Sequence, residues 1–199
     1  MLMGHYLAIF LHEIGHACVY FSLGIPVTGV NVGSSRVLFS IKVRNAIFRF
    51  RLFPDGGNCT RFTKPEMPSP FGPRLFLPFI GGPVANAVFF GIFYFFAGHA
   101  AGVCKIVLLG FSFANLNSFV TNMIPISAFT DMRQAAIGLY CFAKKLGYCE
   151  FERMVYKPTY RKKNVSFLFA NIVRAILIVF LFYRFFLGEI ITTINNPPF

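Results

Sequence analysis

Residues 7–17 read Leu7-Ala8-Ile9-Phe10-Leu11-His12-Glu13-Ile14-Gly15-His16-Ala17, two histidines and a glutamate set into an otherwise apolar run. On a helix, residues four apart share a face, so His12 and His16 can present imidazole nitrogens to one metal ion with Glu13 beside them. This His-Glu-x-x-His spacing is a zinc hydrolase arrangement, in which zinc acidifies a water and the neighbouring carboxylate takes its proton. Polar groups of this kind are costly in hydrocarbon unless paired, metal-bound or watered, which favours a functional role over simple polar glue between helices.

The surroundings of that run are those of a membrane protein. The chain has 199 residues, room for a single domain (1–199), and 56% of them are hydrophobic, far above a soluble domain of this size. Apolar stretches long enough to cross hydrocarbon fall near 2–23, 75–97, 103–124 and 167–187. The fourth contains Arg174, so it either lies at the interface or turns that arginine inward toward protein or water. With 28 phenylalanines and no tryptophan, any interfacial aromatic belt must be built from Phe and Tyr.

Charge sets the topology. Of the 19 Lys and Arg residues, 8 lie in 25–74 and 8 in 131–165, and alternate crossing by the first three spans puts both loops on one side. The positive-inside rule makes that side cytoplasmic, beside anionic headgroups, with both termini outward. The expected location is the bacterial cell (inner) membrane. A net charge of +12 could also suit nucleic acid, but no nucleic-acid motif accompanies it. The five cysteines form no Cys-x-x-Cys pair, so neither a disulfide framework nor a thiolate zinc site is indicated.

Within the first loop, Val37, Phe39, Ile41 and Val43 alternate with Leu38, Ser40, Lys42 and Arg44, and Phe48, Phe50 and Leu52 with Arg49 and Arg51. Period two predicts a β-hairpin over about 36–53, turning near Asn45. Its free edge could accept an extended peptide, and its arginines suit phosphate headgroups. The Pro- and Gly-rich stretch Pro54 to Pro73 reads as an irregular connector, and Asp131 to Leu146 as a helix. The expected fold class is an all-α multi-pass membrane protein, with a three-helix catalytic core, a fourth span and this small hairpin.

A catalytic zinc ion needs three protein ligands and an open position. Asp131, just past the end of the third span, is on the same membrane face as the His12/His16 end of the first and is the preferred third ligand. Asp55, in Phe53-Pro54-Asp55-Gly56-Gly57, is the reserve choice, although the Gly pair behind it favours a plain turn residue. His5 is nearly two turns (~10 Å) from His12, too far to share an ion, and His99 falls in an outward loop.

Four landmarks occur in order: His12-Glu13-Ile14-Gly15-His16-Ala17, Leu52-Phe53-Pro54-Asp55-Gly56-Gly57, Gly81-Gly82-Pro83-Val84-Ala85-Asn86, and Asn122-Met123-Ile124-Pro125 leading to Asp131. In these the chain resembles the site-2 protease family of intramembrane zinc metalloproteases, as a minimal core without an inserted PDZ or CBS domain. The resemblance implies His12, His16 and Asp131 as ligands of one catalytic Zn2+ and Glu13 as general base. It also implies that Asn122, Asn86 and Pro125 line the cleft, and that the partner is a transmembrane protein substrate cut within or beside its membrane segment. Asp131 lies nine positions after Asn122 and is followed by Met132, where the family commonly has eight positions and a glycine. That departure motivates the alternative, a non-catalytic membrane adaptor that keeps only the fold.

Overall fold

Residues 2 to 23 contain no proline, and the first helix, α1 (Leu2–Ser22), runs until a glycine stops it. Gly24 adopts φ +72°, the amide of Ile25 donates to Tyr20 and that of Gly24 to Phe21, and Pro26 follows. This is a Schellman C-cap, which satisfies two terminal carbonyls and turns the chain sharply into a strand. The computed structural model describes residues 2–61, 72, 76–124, 130–156 and 165–195. After α1 come β1 (Val27–Val43), β2 (Ala46–Arg61), α2 (Pro78–His99), α3 (Gly102–Met123), α4 (Asp131–Ala143) and α5 (Tyr148–Tyr156). The last long helix, α6 (Val165–Phe182), passes through a π-helical turn at Tyr183–Leu187 into α7 (Gly188–Asn195).

The helical core forms around α1 and α2. A Cβ on Gly15 would run into the carbonyl of Gly81, and one on Gly81 would stand 2.5 Å from the carbonyl of Gly15. The two backbones therefore touch, the close approach that small residues allow between helices in lipid. A two-residue link, Ala100-Ala101, returns the chain antiparallel as α3. Ala97, Leu109, Leu116, Val120 and Phe186 then bury one apolar cluster between α2, α3 and the π-helical turn. An ion pair of 2.7 Å between Lys105 and Glu189 ties the start of α3 to α7. A smaller cluster, Phe76, Cys141, Phe151 and Val155, holds α4 and α5 to the chain that leads into α2.

The hairpin is longer than the sequence pattern predicts. Its turn is at Arg44 and Asn45, as expected, but the strands extend from residue 27 to residue 61. Positive φ at Gly33 (+88°) and Ser35 (+68°) bends β1, so residues 27–32 and 37–43 become separate segments. Val30 lies opposite both Cys59 and Phe48, and Ile41 opposite Phe48 on its other side. Two strands thus make a sheet four segments wide, in the order 37–43, 46–53, 27–32, 57–61, in which the outer pairings are antiparallel and residues 29–32 run parallel to 47–50. Gly29 to Val32 are buried on both faces, so this stretch lacks the alternation that marks a half-exposed strand. The expected connector from Pro54 to Pro73 is corrected over 54–61, which belongs to β2; of its remainder only residue 72 is described. Tyr6 of α1 places its hydroxyl 2.5 Å from the carbonyls of Arg51 and Leu52, and Phe10 packs on Phe48 and Phe50. These contacts dock the sheet beside the polar stretch of α1.

Among the described residues, three helical stretches are long and apolar enough to cross a membrane: Pro78–His99, Gly102–Met123 and Asn171–Thr192. Their outward residues, among them Val84, Val88, Phe95, Phe96, Ile176 and Val179, are exposed large hydrophobics, the surface that hydrocarbon covers in an integral membrane protein. Helix α1 has comparable length but is not among the three, because His5, His12, Glu13 and His16 lower its hydropathy. The apolar stretch expected over 167–187 instead extends through the π-helical turn to Thr192.

The backbone contact of α1 with α2 makes a direct prediction. Gly15→Val should lower stability by about 1–3 kcal/mol, as overpacking does in a filled core, read as a fall in melting temperature in detergent. Gly91→Ala, where a Cβ meets nothing within 4 Å, should change stability by less than ~0.5 kcal/mol. Equal melting temperatures for the two variants would refute the close crossing.

Candidate metal centre

Helical spacing places His12 and His16 on one face of α1, their rings 4.7 Å apart and nearly perpendicular. Asp131 arrives from a different part of the chain, at the first residue of α4, where the helix dipole favours a carboxylate. Its Oδ2 lies 2.7 Å from Nε2 of His12 and 3.4 Å from Nε2 of His16. All three residues, and Glu13, are buried. Burial acts to raise the Asp131 pKa, but the two imidazoles, which hydrogen-bond to and charge-pair with the carboxylate when they carry a second proton, outweigh it and hold the carboxyl down to about 2.

Helix α2 fixes the imidazoles from behind. The carbonyl of Pro78 is 2.6 Å from Nδ1 of His16. A carbonyl only accepts, so Nδ1 carries the proton and Nε2 keeps a lone pair. The Gly82 amide also approaches that Nδ1, at 3.3 Å, but a protonated nitrogen cannot accept its hydrogen, so the shorter Pro78 contact decides the tautomer. For His12 the partner of Nδ1 is the carboxamide of Asn86, 3.0 Å away. Asn86 is fully buried with its Oδ1 unpartnered. Turned so that Oδ1 accepts Nδ1–H, the carboxamide satisfies both groups and again leaves Nε2 with a lone pair.

Glycines supply the space. A Cβ on Gly82 would lie 2.5 Å from Nε2 of both His12 and His16. At Gly57, in the outer sheet segment, it would lie 2.6 Å from Oε1 of Glu13 and 2.8 Å from the carbonyl of Asn31. Glu13 is thus in contact with the strand edge, and its buried Oε2 has no hydrogen-bond partner among the described residues. The ligating atoms of His12, Glu13 and His16 lie within 4.8 Å of one another. Two neutral imidazole nitrogens, an adjoining carboxylate oxygen and an unpaired buried carboxylate oxygen form a donor set that fits a divalent ion such as zinc.

This cluster opens into a cavity of about 910 Å³ lined by α1, the start of α2, α3, α4, α6 and the sheet. Asn122 lines it and donates from Nδ2 to the Ser118 carbonyl within its own helix. Asp55 also lines it, but its Oδ2 accepts from Ser34, and it is Asp131 that reaches the histidines. Asn86 stands behind His12 and is absent from the lining. Pro125 lies outside the described residues. His5 lines the cavity, whereas His99 is exposed and bonds to the Phe95 carbonyl. Cys59 lines it as a neutral thiol: burial, then the Glu13 and Cys18 charges, push its pKa up to about 12.

Several contributors have no role in the sequence reading: Gly57, Gly82, the Pro78 carbonyl and, apart from Asn122, the polar wall of α3. The last had a signal. Asn117 with Thr121, and Ser118 with Asn122, repeat at the helical spacing in an apolar helix and all four line the cavity.

Residues 1–196 match a family model described as Peptidase family M50. No curated protein matches the chain.

An orienting role for Asn86 is testable through metal retention. Asn86→Ala should weaken binding of zinc by about 10–100-fold, the usual effect of losing a hydrogen bond behind a histidine ligand, measured by competition with a chromogenic chelator. Unchanged affinity would leave the buried carboxamide without that role.

Proposed function

Because the chain belongs to peptidase family M50, the site-2 protease family, we propose that it is a zinc-dependent intramembrane endopeptidase acting within or beside the membrane segments of other proteins. The observation that carries this reading is the convergence of Asp131 on Nε2 of both His12 and His16, beside a buried glutamate with one unpartnered oxygen. His12, His16 and Asp131 hold the ion. When bound, zinc supplies Lewis acidity that polarises the scissile carbonyl and brings a water near neutral pKa.

The chain's own groups do the remainder. Glu13 accepts the proton of the attacking water at its free oxygen and returns it to the leaving amine. Pro78 and Asn86 keep both imidazoles turned with Nε2 forward. The polar wall of Asn117, Ser118, Thr121 and Asn122 keeps water stable at a depth where lipid would exclude it. A helical peptide bond is shielded by its own hydrogen bonds, so the substrate has to unwind. Among the described residues the outer segment 57–61 has an unpaired edge for it near Glu13, where Gly57 leaves room.

In this reading the chain works as one domain, with α1 crossing the bilayer beside α2 and α3. Its two basic loops face the cytoplasm, where Lys42, Arg44 and Arg36 on the exposed hairpin meet anionic headgroups. The polar residues of α1 are tolerated because they face protein and cavity instead of lipid. Met132 after Asp131 does not keep that carboxylate from the histidines, so no observation favours a non-catalytic adaptor.

Two outcomes check the proposal. Glu13→Gln should retain stoichiometric zinc yet cut a reconstituted transmembrane substrate about 10²–10⁴-fold more slowly, the range for loss of a general base; wild-type speed in that variant would end the assignment. Treatment with a zinc chelator should abolish cleavage, and stoichiometric zinc should restore it.

A further inference from the structure

Arg174 lies within the apolar stretch Asn171–Thr192 and is the one Arg or Lys among the described residues that line the catalytic cavity. A guanidinium in such a helix is costly unless it faces water or a counter-charge. Here it faces the cavity, half-buried, and among the described residues it has no ion pair or hydrogen bond. The three acids of the cavity are placed elsewhere: Asp131 against both histidines, Asp55 on Ser34, and Glu13 against Gly57. The remaining wall near it, on α3, carries neutral amides and hydroxyls. The cavity therefore holds a fixed positive charge that none of the described residues pairs.

We propose that Arg174 is a specificity-determining residue whose guanidinium receives a carboxylate of the substrate chain inside the catalytic cavity. A guanidinium presents parallel N–H donors that match both oxygens of a carboxylate, and in a water-poor site such a pair is far stronger than at a surface. The carboxylate belongs to a peptide, because Arg174 shares its cavity with the His12, His16 and Asp131 cluster on which the scissile bond has to lie. It is either an acidic side chain near that bond or the free C-terminus of a segment already trimmed. The inference rests on the peptidase reading above.

Binding is measured with full-length protein carrying Glu13→Gln, so that recognition is read without turnover. The probes are synthetic fluorescent transmembrane peptides with Glu, Gln or Lys scanned through the positions flanking the cleavage point, each with a free or an amidated C-terminus. At one position, or at the terminus, the carboxylate form should bind about 10–100-fold tighter than its neutral counterpart. Whether Glu against Gln or acid against amide shows the difference identifies the source. Adding Arg174→Gln should bring that ratio close to one, and Arg174→Glu should move the preference to Lys, with zinc content checking that each variant is folded.

Equal affinities for charged and neutral peptides in protein that keeps Arg174 overturn the inference without need of any Arg174 variant. So does a preference that survives Arg174→Gln. Carboxylate-selective binding by a protein that never cleaves would remove the peptidase reading alone, and cleavage by wild type with no carboxylate preference would remove only this one.

Discussion

The structure depends on how closely α1 and α2 approach. Gly15 and Gly81 meet backbone to backbone, and at that close approach the Pro78 carbonyl and the Asn86 carboxamide stand within hydrogen-bonding distance of the two imidazoles. A wider crossing would leave both Nδ1 atoms without partners in a low-dielectric interior, where an unsatisfied polar group is most expensive. Gly82, one residue on, clears the opposite side of the same rings. Three glycines on two helices therefore determine both the packing and the tautomers. Structural and functional demands fall on the same few residues, which leaves little freedom for sequence drift there.

The sheet solves a second problem, the delivery of backbone to a site within a helical protein. Helices bury their own hydrogen-bonding groups, so a peptide cannot be held along its backbone by helices alone. The bend of β1 at Gly33 and Ser35 folds the two strands back on themselves and brings Gly57 of the outer segment against Glu13. The segment Gly29–Val32 is buried because it lies between two others, and its burial anchors the edge beside it. Family membership and the local geometry then point to the same chemistry from independent directions.

What the sequence made legible follows from the range of the interactions. The His12/Glu13/His16 cluster rests on a helical repeat of four residues, and the turn at Arg44-Asn45 on a two-residue alternation. Both are local signals. The pairing of Val27 with Arg61, or of Val30 with both Cys59 and Phe48, is set by contacts across the chain and by burial on two faces, which erases alternation. Pro54 and the Gly56-Gly57 pair looked like loop residues, yet they sit in a bent strand whose course is fixed by Glu13 and Asn31. Asn86 was read as part of the cleft, but its place behind His12 depends on the crossing of α1 and α2, which no periodicity encodes. Helix α1 shows the reverse: the residues that reveal its chemistry are the ones that disguise it as a span.

Direct contact between α1 and α2 also makes the centre one-sided. The two backbones touch behind the histidines, and among the described residues the cavity in front of them is walled by the sheet together with α3, α4 and α6. A small molecule directed at the centre then has to fit the cavity of about 910 Å³ in front of the histidines, so the shape of those walls matters to its binding as much as the strength of its donor group.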